Sequence, residues 1–201
     1  MAPRLAVRLE NPRVIYQTLF PLMWAAWMAY WVVSSSNVKV TERRESAASR
    51  WLHLGPLLVA FWLVLQPRTG VPWLDERFLP ATSWLYGLGA VLTAGGLLFA
   101  IWARRHIGRN WSATVTIKQG HELVTSGPYA LVRHPIYSGL LLAVAGTALA
   151  RGEWRGVVAT VIVFLALWRK LRLEERWMRE RFGAPYDDYA RRVKALIPLV
   201  F

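Results

Sequence analysis

The chain has 201 residues, of which 55% are hydrophobic and 12 are tryptophan, and it carries a formal net charge of +13. This apolar content exceeds what a soluble domain of this length needs and predicts one membrane-embedded unit. The absence of cysteine excludes disulfides, thiolate metal ligands and thiol nucleophiles. The positive charge lies beside apolar segments without a nucleic-acid-binding motif, so anionic lipid head groups explain it better than nucleic acid.

Five segments without charged side chains predict an all-α integral membrane protein with five transmembrane helices. A helix needs about 20 residues to cross the hydrocarbon layer, and the first and third segments reach that length unaided. The other three segments are shorter, and they can cross only if flanking Arg and Trp side chains extend to the membrane surface or if the helices pack against neighbouring helices. The predicted spans, all in a single domain covering residues 1–201, are residues 14–36, 51–66, 81–103, 136–150 and 155–171.

The distribution of basic residues predicts the orientation in a cell or inner membrane. Lys and Arg near helix ends favour the cytoplasmic side. Most of the 25 Lys and Arg residues fall in the first loop, the third loop and the tail after the last span. We therefore expect the N-terminus outside and the C-terminus in the cytoplasm, although Arg4, Arg8 and Arg13 argue weakly in the opposite direction.

Two local features of the early chain lead to structural predictions. The first loop, residues 37–50, contains a polar stretch, residues 41–49, that has the composition of a short helix. The third span carries small residues such as Gly96, and the fourth repeats the pattern with Gly139 and Ala143. Small residues let membrane helices approach closely, so these two spans are expected to pack tightly.

The third loop, residues 104–135, ends in a His-Pro pair that is expected to start the fourth helix. Pro135 suits the first turn, where its missing N–H does no harm. The free N–H groups and positive dipole end at this helix start suit a carboxylate. His134 and Tyr137 flank this point, and a Gly127-Pro128 turn brings Tyr129 alongside. Each residue also has an ordinary structural explanation, as a helix cap or an interface aromatic.

The last span continues into a charged helix at residues 169–182, which Gly183 is expected to end before a second short helix at about residues 186–194. The charged helix contains two adjacent acids. A surface ion pair with Arg179 at the i, i+4 spacing explains Glu175. Glu174 lies at the membrane boundary, where an acid usually has a defined partner.

An ordered series of motifs resembles the isoprenylcysteine carboxyl methyltransferase family. The resemblance covers about residues 109–198, and the series is specific although no single motif is. The motifs are Asn110-Trp111-Ser112, the stretch from Gly120 to Tyr129, Arg133-His134-Pro135-Ile136-Tyr137, Glu174-Glu175, and Phe182-Gly183 followed by Tyr186, Tyr189, Val193 and Ile197-Pro198.

The resemblance implies an integral membrane enzyme that uses S-adenosyl-L-methionine without a Rossmann domain. The sequence agrees, since no G-x-G-x-x-G follows a strand-like run. Residues 104–201 would form the cofactor-binding half, with the pocket on the cytoplasmic side. The residues implied to line that pocket are His121, Glu122, Leu123, Val124, Tyr129, His134, Pro135, Ile136, Tyr137 and Glu174.

The resemblance also implies catalytic roles for Lys170, Arg172 and Glu174. Glu174 would bind the cationic donor. The family places an arginine four residues before the first acid of the pair to hold the acceptor, and this chain has Lys170 there. Lysine attracts a carboxylate but lacks the planar fork of arginine. Lys170 with Arg172 would therefore orient the acceptor, and Arg169 is an alternative for the same role.

The resemblance implies methyl transfer from S-adenosyl-L-methionine to a lipophilic acceptor, and a carboxylate acceptor is already ionised at neutral pH. Positioning would then dominate catalysis. A phospholipid or amine N-methyltransferase is the nearest alternative and needs a base, for which His134 or Glu174 is the candidate. An NADPH-dependent membrane reductase and a non-enzymatic basic membrane scaffold are further alternatives. The expected partners are membrane lipids and a lipophilic small-molecule or lipid substrate, without nucleic acid, a protein partner or a metal.

Overall fold

The computed structural model describes residues 12–36, 38–120 and 122–198. The chain is mostly helical, with one small sheet among these residues. In chain order the elements are α1 (Pro12–Ser34), β1 (Thr41–Arg44), α2 (Ala47–Leu65), α3 (Pro72–Asp75), α4 (Ser83–Ile107), a 3-10 turn (Gly108–Asn110), β2 (Thr116–Lys118), a second 3-10 turn (Gly127–Ala130), α5 (Pro135–Arg151), α6 (Trp154–Phe182) and α7 (Ala184–Arg192).

Helices α1, α2, α4, α5 and α6 occupy the five apolar segments. By length and composition, Ala47–Leu65 and Ser83–Asn110 are each able to cross a membrane, and only 22% and 39% of their apolar windows are buried in the protein. A core helix of a soluble protein would be mostly buried, so these exposed apolar faces favour a lipid environment. The crossing count of five remains a prediction.

The prediction of a helical stretch at residues 41–49 is wrong for its first half. Thr41–Arg44 forms β1, which pairs antiparallel with β2 of the third loop, with Thr41 opposite Lys118. Ser46 then caps α2, because its side chain accepts a hydrogen bond from the backbone N–H of Ser49 at 3.2 Å. The strand depends on a partner more than 70 residues away in the chain, which local composition does not reveal.

Helices α4 and α5 pack closely, as their small residues predict. A Cβ added to Gly139 would lie 2.5 Å from the carbonyl oxygen of Gly96, which is too close for any side chain. At the same interface the hydroxyl of Thr93 lies 3.1 Å from that of Thr147. The two backbones therefore touch, and this contact fixes the position of the start of α5.

The core lies between α1, α2, α5 and α6 and includes Trp24, Leu63 and Val163. The segment after α7 also packs at the start of α5. There, the backbone N–H groups of Arg133 and His134 donate to the carbonyl oxygens of Lys194 and Ala195 at 2.8 and 3.0 Å. The C-terminal segment thus holds the end of the third loop in place.

Candidate active site

The site forms where the start of α5 meets α6. His134 is the N-cap of α5 and Pro135 follows in its first turn, which confirms the predicted helix start. The backbone N–H groups of Tyr137 and Ser138 donate to the carbonyl oxygen of His134 at 3.0 Å. The ring of His134 stacks on Tyr137, with centroids 5.3 Å apart and planes inclined by 5°. Both side chains are therefore held rigidly toward α6.

Glu174 has the defined partners that its position at the membrane boundary predicts. The Tyr137 hydroxyl donates to Glu174 Oε1 at 2.6 Å. His134 Nδ1 lies 3.6 Å from Glu174 Oε2, and Lys170 Nζ lies 4.0 Å from Oε1. The side chain keeps 22% of its surface exposed. Its carboxylate is therefore fixed by three groups and still open on one side.

Glu175 is buried, so the interpretation as a surface ion pair is incomplete. It does lie 3.6 Å from Arg179, yet only 5% of the residue is exposed. Arg133 Nε and Nη2 donate to Glu175 Oε1 at 2.9 and 2.6 Å, and His134 Nε2 lies 3.3 Å from the same oxygen. Arg133 also donates to the carbonyl oxygens of Ala190 and Val193. This buried pair ties α6 to the C-terminal segment.

The His134 ring lies between two carboxylates, and this arrangement shifts all three pKa values. Burial alone would lower the pKa of His134, but hydrogen bonds and the charges of Glu174 and Glu175 outweigh it and raise the pKa. Burial alone would raise the pKa of Glu174, but His134 and Lys170 lower it. His134 and Arg133 likewise outweigh burial and lower the pKa of Glu175 to about 2. Both acids are therefore ionised at neutral pH.

A cavity of about 280 Å³ opens in front of Glu174, between the third loop, α1, α2, α5 and α6. The loop contributes its segment 110–116 in addition to the predicted residues. The wall includes most of the side chains implied by the sequence: Glu122, Leu123, Val124, Tyr129, His134, Pro135, Ile136, Tyr137, Lys170 and Glu174. The structure thus brings together the loop, the start of α5 and the acidic part of α6.

Three predicted residues have other placements. His121 lies outside the described residues. Arg172 is exposed, does not line the cavity and has its guanidinium 5.8 Å from the centroid of the Trp168 ring. Arg169 turns toward α2, where it donates to the carbonyl oxygen of Ser49 at 3.0 Å. Among the three cations considered for the acceptor, only Lys170 lines the cavity.

Lys170 has a fixed position in the cavity wall. Its ammonium donates to the carbonyl oxygen of Ala113 at 3.0 Å and lies 5.4 Å from the centroid of the Tyr137 ring. On the opposite side of the loop, the backbone N–H of Val115 donates to Glu45 Oε1 at 3.1 Å. The residue pair 113 and 115 thus links Lys170 to the segment that precedes α2.

Sequence reasoning missed the cavity residues of the first two helices, namely Trp27, Trp31 and Leu57. Apolar residues within a predicted span carry no sequence signal that distinguishes a cavity wall from a lipid-facing or core position. The motif Asn110-Trp111-Ser112 was part of the resemblance without an assigned role, and all three of its residues line the cavity. Only the tertiary arrangement identifies these positions.

Comparisons with known proteins identify sequences similar to this chain. The sequence profile described as phospholipid methyltransferase matches residues 84–185. A probable protein-S-isoprenylcysteine O-methyltransferase of Oryza sativa subsp. indica is 34% identical over 99 residues, covering 46% of this chain and 50% of the relative. Protein-S-isoprenylcysteine O-methyltransferase B of Arabidopsis thaliana is 30% identical over 123 residues, covering 58% of this chain and 61% of the relative.

A relative with a different description also matches. The cobalt-zinc-cadmium resistance protein CzcN of Cupriavidus metallidurans is 37% identical over 95 residues, covering 46% of this chain and 43% of the relative. The chain spans about half the length of the curated relatives it matches. These similarities confirm the resemblance that the motifs indicate.

Proposed function

Because the chain belongs to the phospholipid methyltransferase family, we propose that it is an integral membrane enzyme that transfers the methyl group of S-adenosyl-L-methionine to a lipophilic carboxylate. The observation that carries the proposal is the ionised Glu174 carboxylate, held by Tyr137 and His134 at the wall of a largely apolar cavity. An anion in such surroundings attracts a cationic ligand more strongly than it would in water.

The residues of the cavity fit the donor. S-adenosyl-L-methionine, when bound, supplies an electrophilic methyl group on a sulfonium. Glu174 would face the positive charge, and the apolar side chains of Leu123, Val124 and Ile136 would cover the uncharged parts. The cavity volume of about 280 Å³ lies just below the usual range of about 300 to 1,000 Å³ for small-molecule sites. These side chains would also exclude water from the reacting groups.

The protonation states at the site favour a carboxylate acceptor over an amine. An amine must lose a proton to react, and this requires a base. The raised pKa of His134 favours its protonated form, and the lowered pKa of Glu174 makes that carboxylate a weak base. A carboxylate acceptor needs no base because it is already ionised at neutral pH. Lys170, a cation in the cavity wall, would bind the negative charge of the acceptor carboxylate.

The membrane arrangement supports a lipophilic acceptor. Large apolar side chains are exposed along the long helices, including Trp62, Val91, Leu98 and Leu165, which are between 48% and 68% exposed. Lipid around these faces would satisfy them. The site lies at the end of the helices that carries the third loop and the tail, which the basic residues assign to the cytoplasm. We therefore place the reaction at the cytoplasmic membrane face.

Calorimetry on the purified chain in detergent tests the proposal. S-adenosylhomocysteine should bind saturably, whereas NADPH should not. Binding of S-adenosyl-L-methionine should weaken by about 10- to 100-fold in Glu174→Gln, which removes the carboxylate proposed to face the sulfonium, and in His134→Ala, which removes a partner of that carboxylate. Glu180→Gln is the matched control, because Glu180 lies on the same helix in an exposed pair with Arg43 at 2.7 Å. Binding of NADPH alone would overturn the proposal, and binding of neither ligand would favour a scaffold.

A further inference from the structure

Three polar atoms in the cavity wall have no hydrogen-bond partner among the residues that the structure describes. They are Trp27 Nε1, Asn110 Oδ1 and Thr116 Oγ1. Their residues are only 7%, 8% and 7% exposed, and all three line the cavity in front of Glu174. Buried polar groups are nearly always paired, and an unpaired group is costly to keep. Their residues all line one cavity, so a molecule bound there is a candidate partner for these atoms.

The Trp27 ring is fixed by its neighbours, so its N–H is not free to turn away. The ring stacks on Trp31 with centroids 4.6 Å apart and planes inclined by 26°. Trp24 packs edge-on against the Trp27 ring, with centroids 5.8 Å apart. Trp31 in turn packs edge-on against Trp111 of the third loop at 5.4 Å. Trp27 and Trp31 of α1, with Leu57 of α2, form the part of the cavity wall that comes from the first two long helices.

The position of this wall relative to the family match suggests which ligand it contacts. The profile match covers residues 84–185, and it includes Tyr129, His134, Tyr137 and Glu174. Trp27, Trp31 and Leu57 lie before residue 84, outside the matched segment. A donor that is common to a family is expected to bind to the segment the family shares. The remaining wall, contributed by α1 and α2, is then left for the methyl acceptor.

We propose that Trp27 is a specificity-determining residue whose indole N–H donates to an oxygen of the acceptor, while Trp31 and Leu57 cover the acceptor's apolar body. This inference rests on the proposed function and adds a residue that recognises the acceptor. The acceptor must carry its carboxylate oxygen next to its apolar part. The indole N–H is a donor only, so a ligand that offers only donors at this point would leave it unsatisfied.

The proposal makes Trp27 and Trp24 respond in opposite ways to the same substitution. Trp27→Phe keeps an aromatic ring in the stack and removes an unpaired donor, so the melting temperature should stay unchanged or rise, while the acceptor KM increases about 10-fold. Trp24→Phe removes a paired donor, because Trp24 Nε1 donates to Thr147 Oγ1 at 3.2 Å in the core. That variant should melt at a lower temperature and keep the wild-type acceptor KM.

The experiment uses the full chain in detergent with two probes of the proposed class, N-acetyl-S-farnesylcysteine and oleate. Initial rates with methyl-labelled S-adenosyl-L-methionine give the acceptor KM for the wild type and both tryptophan variants. Indole N–H signals of ¹⁵N-labelled protein give a second readout, and the Trp27 signal is the one that Trp27→Phe removes. We expect this signal to move when a probe is added to the S-adenosylhomocysteine complex, and to stay in place when S-adenosylhomocysteine is added alone.

Three results would overturn the inference while leaving the proposed function intact, because S-adenosylhomocysteine binding is measured separately. One is an unchanged acceptor KM in Trp27→Phe. Another is a Trp27 signal that shifts with S-adenosylhomocysteine alone and not with a probe, which would assign Trp27 to the donor. The third is a Trp27 signal that stays in place although a probe binds to the S-adenosylhomocysteine complex. Failure of the wild type to bind S-adenosylhomocysteine would instead refute the proposed function.

Discussion

Replacement of Glu175 by glutamine should destabilise the protein at neutral pH, and the effect should become smaller in acid. The pKa of Glu175 is lowered from its ordinary value of 4.5 to about 2, which corresponds to about 3 kcal/mol of native-state stabilisation. Removal of one partner of a buried ion pair costs a similar amount, about 3 to 5 kcal/mol. Glu175→Gln leaves Arg133 and His134 without their shared carboxylate. At about 2 to 4 °C per kcal/mol, the melting temperature should fall by about 6 to 12 °C.

Thermal unfolding in detergent between pH 2.5 and 8 tests this expectation. A carboxylate with a lowered pKa stabilises the folded state above its ordinary pKa, and this contribution is lost as the pH falls through the folded value. The difference between wild type and Glu175→Gln should therefore be constant above about pH 5 and shrink toward pH 2. Glu180→Gln should melt close to the wild type, because Glu180 is exposed. A small difference at pH 7, or one that keeps its full size at pH 2.5, would refute the reasoning.

Three further predictions concern the site and its support. The raised pKa of His134 stabilises the folded state fully below about pH 6.5, and this stabilisation is lost at higher pH. The melting temperature of the wild type should therefore exceed that of His134→Gln by less at alkaline pH than at acidic pH. A difference that does not change with pH would contradict this prediction. Lys170→Met should raise the acceptor KM about 10-fold, and Lys170→Arg should restore it in initial-rate assays; equal KM values would argue against contact with the acceptor. Gly139→Ala should lower the melting temperature by at least about 3 °C because its Cβ would meet Gly96, whereas Gly95→Ala should not, since nothing lies within 4 Å of that position.

The local rules of helix structure predict much of the frame around the site. Pro135 begins α5, as a first-turn proline should. Gly183 ends α6 with a positive φ of 58°, which a glycine adopts without strain. The small residues of α4 and α5 correctly predict a close helix pair. Each of these features depends on residues that are near in sequence or on the periodicity of one helix.

The face of α6 explains which predicted site residues reach the cavity. Residues four apart on a helix lie on one face, so Lys170 and Glu174 both line the cavity. Arg172 is two positions from each of them and lies on a different side of the helix, where it is exposed. The resemblance alone treated Lys170 and Arg172 as a pair. The helical period separates them, although this argument requires knowing which side of α6 faces the protein.

Contacts between distant segments account for what the sequence did not predict. Strands β1 and β2 pair although they lie about 70 positions apart in the chain. The hydrogen bond from the Val115 N–H to the Glu45 carboxylate spans a similar separation. The burial of Glu175 results from Arg133, which lies 42 positions away. The place of Trp27 in the cavity wall also depends on a distant contact, because the third loop must fold against α1 to form the cavity. No local pattern specifies such contacts.

The ratio of the dissociation constants for S-adenosyl-L-methionine and S-adenosylhomocysteine, measured for the wild type and for Glu174→Gln, tests the central claim most directly. The two ligands differ at the sulfur, which is cationic in the first and neutral in the second. If the Glu174 carboxylate faces that charge, the wild type should favour the cation, and the variant should lose about 10-fold of this preference. An identical ratio in both proteins would contradict the account, because Glu174 would then not recognise the sulfonium.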